Sequence, residues 1–65
     1  MAIVILKGTG QLNGTVLIDK ELEMEMREAQ AFVGSKKDEV ITATIAIHYP
    51  GVKINPRQIR INVIP

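Results

Sequence analysis

Read as a pattern of apolar and polar positions, the chain divides into four β-like stretches and one helix-like stretch. Ala2 to Lys7 is a β-branched, aliphatic run that predicts a first strand. Thr15-Val-Leu-Ile18 predicts a second strand, with Gly8-Thr-Gly10 and Asn13-Gly14 as turn material between them. Glu39 to Tyr49 is the longest strand candidate. Ile41, Ala43, Ile45 and Ile47 share one of its faces, while Val40, Thr42, Thr44, Ala46 and His48 share the other. Pro50-Gly51 marks a turn. Val52 to Gln58 reads as irregular, because Pro56 disfavours helical geometry at Asn55. Gln58 to Ile64 closes the chain as a strand, with Ile59, Ile61 and Val63 opposite Arg60, Asn62 and Ile64.

The helix-like stretch is Lys20 to Val33. Its residues up to Ala31 are good helix formers and none is β-branched. Asp19 stands where an N-cap would, Glu21 favours the positive end of the helix dipole, and Gly34 follows as a stop signal. At a 3.6-residue period Leu22, Met26, Ala29 and Val33 share a face, flanked by Phe32. A competing pattern runs through the same residues. Val16, Ile18, Leu22, Met24 and Met26 are even-numbered while Glu21, Glu23 and Glu25 are odd, the alternation of a half-buried strand. Cap, stop and propensity agree on helix, so helix is the primary reading. A long strand over 14–26 is the alternative.

The resulting order is strand-strand-helix-strand-strand. It describes one α+β domain over residues 1–65: a small four-stranded sheet, mixed or antiparallel, with one helix on one face (ββαββ). In element order alone this resembles the β-grasp layout of ubiquitin-like proteins. Modifier members of that family end in Gly-Gly, whereas this chain ends Ile64-Pro65, so conjugation and sulfur-carrier chemistry are not implied. Under the strand alternative for 14–26, the fold would be all-β.

Composition narrows the function classes. A 65-residue domain buries only about 60% of its unfolded surface, so it benefits from reinforcement by disulfides, a metal or a partner subunit. With no cysteine, disulfides, thiolate metal sites and iron–sulfur clusters are excluded, and one histidine leaves little room for zinc. No metal or other cofactor is expected, and a partner subunit is the reinforcement left. Apolar residues at 46% and charged ones at 23% are globular proportions. No apolar run approaches the roughly 18–20 residues that span a bilayer. Met1 to Leu6 is too short for a signal peptide and lacks its basic flank, so the expectation is a cytoplasmic protein with no membrane segment.

Charge is unevenly placed along the chain. Residues 1–35 carry three basic and five acidic side chains, and residues 36–65 carry five and two, giving −2 and +3. Halves of opposite sign suit self-association. Lys36, Lys37, Lys53, Arg57 and Arg60 are the candidates for phosphate binding. A nucleic-acid role would lack a stacking platform, since Phe32 and Tyr49 are the only aromatic residues. It would also lack a recognition helix, since the predicted one is acidic.

No catalytic constellation stands out. His48 is the one side chain that titrates near neutrality by default, and on a strand Tyr49 would point away from it. Glu21, Glu23, Glu25 and Glu28 read as a solvated surface rather than an acid pair, and Gly8-Thr-Gly10 lacks the spacing of a phosphate loop. Both faces of the strands carry apolar side chains, yet one helix covers one face. The uncovered face would leave an apolar patch that a monomer does not favour. The first expectation is therefore a small non-enzymatic module that works by protein association, as a homo-oligomeric subunit or an adaptor. Its interface candidates are Met24, Ala31, Ile59, Ile61 and Val63. The second is a nucleic-acid-binding module using the basic half, and the third is a subunit that completes a shared active site with His48.

Overall fold

A computed structural model describes all 65 residues. The chain runs through β1 (Ala2–Gln11), β2 (Thr15–Met24), α1 (Met26–Ala29), a 3-10 turn (Gln30–Phe32), α2 (Lys37–His48), β3 (Lys53–Ile54), a second 3-10 turn (Pro56–Gln58) and β4 (Arg60–Ile64). The α+β class, the four-stranded sheet and the strand-strand-helix-strand-strand order all stand. Two helical segments, rather than one, fill the middle position, and the third strand is Lys53–Ile54, inside the stretch 52–58 expected to be irregular, instead of 39–49.

β1 is the central strand, and every pairing to it is antiparallel. β2 lies along one side in a ten-residue register from Ala2 opposite Met24 to Gln11 opposite Thr15. β3 and β4 share the other side, with Gly10 opposite Ile54 and Lys7 opposite Arg60. Residues 55–59 therefore stand against only Gly8 and Thr9, and this excess of chain leaves the sheet plane over the core face. Asn55 is extended, as a residue before proline should be, and its side chain accepts from the Arg57 backbone N–H at 3.0 Å to start the short turn. Ile59 is carried into the core by this detour and is only 6% exposed.

The detour explains why Gly8 and Gly10 belong to β1 rather than to a turn. A Cβ on Gly8 would come within 2.9 Å of the Gln58 carbonyl oxygen, and one on Gly10 within 2.4 Å of the Val52 Cγ1. The crossing chain needs strand residues without side chains beneath it. The turn expected at Asn13-Gly14 is where the hairpin reverses, with both residues at positive φ.

Two element assignments are corrected. Residues 20–24 are strand, not helix: the alternation of Leu22 and Met24 with Glu21 and Glu23 prevails over helix propensity. Pairing along the whole of β1 supplies backbone hydrogen bonds and a core face that an isolated helix would lack. Helix starts only at Met26 and tightens to a 3-10 turn by Gln30, and Gly34 ends the segment without taking a left-handed conformation. Residues 39–49 are the reverse case. Their β-branched residues suggested a strand, but 37–48 form α2, which buries Ile41 and Ile45, four apart on one stripe. The hydroxyls of Thr42 and Thr44 donate to the carbonyls of Asp38 and Val40, each at 2.8 Å, so neither competes for a strand ladder. Asp38 and Glu39 in the first turn and His48 in the last complement the helix dipole.

The core is one cluster between the sheet and the helical layer. Ala2, Val4, Leu6 and Ile18 from the sheet meet Ala29, Phe32, Ile41, Ile45 and Ile59. Across its Cα atoms the molecule measures 35 × 21 × 17 Å, and the short dimension accommodates the sheet and a single layer of helix. All helical segments pack on one side of the sheet.

Candidate functional site

Because β-strand side chains alternate, the core assignments fix what lies on the other side of the sheet. Odd-numbered residues of β1 and β2, and even-numbered residues of β4, face away from the helices. From the registers, Ile3 lies between Glu23 and Ile64, Ile5 between Glu21 and Asn62, and Lys7 between Asp19 and Arg60. Further along, Thr9 lies beside Leu17, and Gln11 between Thr15 and Lys53. No helix covers this open face.

The face has an ordered chemistry. Ile3 and Ile5 form an apolar ridge along β1, extended by Ile64, which is 42% exposed. Along β2 the face is acidic, through Asp19, Glu21 and Glu23. Along β3 and β4 it is basic, through Lys53 and Arg60, with Lys7 in the middle strand. Three acids and three bases leave the face neutral but polarised from edge to edge. The molecule's one ion pair within 4.0 Å joins Arg27 to Glu25 at 3.5 Å, away from this face. The open-face charges are thus unpaired within the chain, and Lys7 and Arg60 sit directly opposite as like charges, which is unfavourable across strands.

The neighbouring edge is partly closed. The Tyr49 hydroxyl donates to the Asp19 carbonyl and accepts from the Asp19 N–H, both at 3.2 Å, so it occupies the outward backbone groups at the middle of β2. Lys20 is half-buried on the core side of this edge strand, its stem covering apolar surface while its charge reaches water. A charge directed inward and an occupied backbone position both oppose addition of another strand.

A second concavity lies on the helical side. It is a groove of about 560 Å³ with Phe32, Ile41 and Ile59 in its walls and Lys37, Asp38 and Arg57 at its rim. One carboxylate oxygen of Asp38, Oδ1, is buried there without a hydrogen-bond partner. That oxygen is too enclosed to meet a ligand in the groove directly, and no ion pair within 4.0 Å joins Asp38 to Lys37 or Arg57.

The structure distributes the sequence candidates widely. Of the five candidate phosphate ligands, Lys37 and Arg57 line the groove, whereas Lys53 and Arg60 belong to the open face, on the opposite side of the sheet. Lys36 is exposed just before α2. These cations do not form one patch. Among the interface candidates, Ile59 is in the core, and Met24, Ile61 and Val63 pack against it. Ala31 is exposed in the first 3-10 turn. Four of the five thus lie on the covered side: Ile59, Ile61 and Val63 on the inward face of the last strand that follows the detour at 55–59, and Met24 as an even-numbered residue of β2 opposite Ala2. The residues that sequence reasoning missed are Ile3, Ile5, Lys7, Asp19 and Ile64. The odd positions of β1 and β2 carried the signal, once β2 is extended to Met24.

His48 is exposed at the end of α2, and no three His, Asp or Glu side chains converge as a metal site requires. No helix is long and apolar enough to cross a membrane. Comparison with protein-family models, curated proteins and solved structures returned no match.

Proposed function

We propose that this protein is a small association module that works by binding protein, in the first place copies of itself, through the open face of its sheet. The observation that carries this reading is the apolar ridge of Ile3, Ile5 and Ile64, which no helix covers and which lies outside the core cluster. Leaving such a ridge in water forgoes roughly 25 cal/mol for each Å² of apolar surface that a partner would cover. A marginal 65-residue domain without disulfides gains most from that cover. The edge strand is a poorer route, since Tyr49 and the acidic side chains of β2 oppose strand addition. The nucleic-acid reading is weaker, since its five basic residues are divided between two sides of the sheet.

The test is native mass by light scattering on a sizing column, run over a range of protein concentrations. The expected result is a mass that rises from one chain to two or more with concentration. Ile5→Lys, placing a charge in the middle of the ridge, is expected to hold the mass at about 7 kDa throughout while leaving the circular dichroism unchanged. A wild-type mass of one chain at every concentration would refute self-association.

A further inference from the structure

Two aligned ways of stacking such faces about a twofold axis lying between them differ in what their charges meet. If the axis runs across the strands, β2 of one copy lies over β2 of the other. Asp19, Glu21 and Glu23 then meet the same three acids, and the ridge is flanked by uncompensated charge of one sign. If the axis runs along β1, the order of strands is reversed in the second copy. Each Asp19 of β2 then covers the partner's Arg60 on β4, and β1 stacks on β1. We infer that this protein forms a face-to-face dimer about a twofold axis along β1, which rests on the association reading above and specifies its partner and geometry.

The registers state what would meet. Ile3, Ile5 and Lys7 lie on the central strand, so each stacks near its own copy: the apolar ridge closes on itself, and the two Lys7 side chains meet between the two Asp19 contacts. Asp19 and Arg60 lie in one row on opposite sides of Lys7, so each Asp19 meets the partner's Arg60, and the contact occurs twice. In the row of Ile5, Glu21 meets the partner's Asn62. The unfavourable approach of Lys7 to Arg60 within one chain is thereby offset by an acid from the other. A twofold contact uses the same patch on both copies, so the central apolar line and two Asp19–Arg60 contacts supply it without a second surface. Two ten-residue strands and a shorter third track of β3 and β4 cover about 33 by about 14 Å at most, so two such faces remove somewhat under about 1,000 Å² from water. That is the lower end for a specific interface, and it implies a dimer that dissociates on dilution.

The experiment is a charge exchange read by sedimentation equilibrium. Asp19→Arg alone sets two cations together at both contacts, and Arg60→Glu alone sets two acids together. Each variant by itself is expected to raise the dimer dissociation constant by about tenfold or more. Mixed in equal amounts, they form a heterodimer in which both contacts join opposite charges. Its dissociation constant is expected to return to within about threefold of wild type. Repair of a contact within one chain cannot produce recovery on mixing. Should either variant fail to give the wild-type circular dichroism, the adjacent row supplies a second test. Asn62→Glu alone sets two acids together at both contacts and weakens the dimer. Mixing it with Glu21→Lys replaces these by one contact of opposite charges and one wild-type contact and restores affinity.

A dimeric wild type whose single variants do not recover on mixing would overturn this geometry and leave self-association standing. Loss of dimer in Ile5→Lys together with unchanged affinity in both charge variants would likewise reject the axis along β1 while keeping the face. A wild type of single-chain mass at all concentrations would remove both the geometry and the association reading.

Discussion

Along β1, neighbouring residues meet opposite surroundings. Ala2, Val4 and Leu6 are at most 1% exposed beneath the helices. Ile3 and Ile5, of similar hydrophobicity and in the same strand, are only half-buried by their neighbours on the sheet. The difference comes from stoichiometry of cover. After β2, the chain supplies one helical layer, about 18 Å of α2 plus the shorter segment at 26–32, and that layer closes one face. An apolar side chain on the other face contributes to stability only when another molecule covers it. The even positions of β1 therefore hold the fold, and the odd positions are available for association.

Replacing one residue on each side sharpens this contrast most. Leu6→Ala removes a fully buried side chain and is expected to cost about 2–5 kcal/mol, enough to leave so small a domain largely unfolded in thermal or urea denaturation. Ile5→Ala, measured at dilution, is expected to cost about 1 kcal/mol or less, because its side chain is outside the core cluster. Equal losses at the two positions would show that the faces are not distinct. Gly8→Ala tests the detour that turns Ile59 inward. Its Cβ would crowd Ile59 and the Gln58 carbonyl, so a loss of about 1–3 kcal/mol is expected in the same assay. An unchanged midpoint would mean that residues 58–59 do not press on β1.

Smaller still is the effect expected at the sheet edge. Tyr49→Phe removes the hydroxyl bridging the Asp19 N–H and carbonyl, with a loss of about 0.5–1.5 kcal/mol, at the lower end because the site is exposed. Amide exchange at Asp19 should accelerate by more than at Leu22, whose position in the register faces β1. Uniform acceleration along β2 would instead report general loosening and remove Tyr49 as an edge cover. Smallest is Thr42→Ala on α2, expected to change stability by about 0.5 kcal/mol or less, since its hydroxyl bonds only to its own helix. A loss several times larger would place Thr42 in an unrecognised contact.

Regions where the sequence pattern was ambiguous show how local and tertiary preferences divide. Residues 20–24 have helix-forming side chains and strand alternation. Residues 39–48 have β-branched side chains and an Ile41–Ile45 spacing that a helix buries. In 20–24 alternation identified the buried face against helix propensity, whereas in 39–48 both alternation and β-branched side chains suggested a strand, and packing of Ile41 and Ile45 against the sheet made it a helix. The differences in propensity are a few tenths of a kcal/mol per residue, whereas burying one aliphatic side chain contributes about 1.5–3 kcal/mol. The open face was legible as an expectation of surplus apolar surface, but its residues were misplaced. The direction of β4 depends on the detour at 55–59, which brings Ile59, Ile61 and Val63 inward. The alternation of Ile59, Ile61 and Val63 with Arg60 and Asn62 already marked that face as the apolar one.

The sequence alone sets an α+β class with a hairpin at the N-terminal end and a strand at the C-terminal end. The aliphatic run at 2–6, the alternation in 60–64, the Asn13-Gly14 turn and the Pro56 interruption are local features, set by sterics and by side-chain direction within a few residues. Tertiary structure decided which stretch became α2, how far β2 extends, and which side of the sheet stays open. Each of these depends on burying surface against residues distant in the chain, and that burial outweighs the local preferences opposing it.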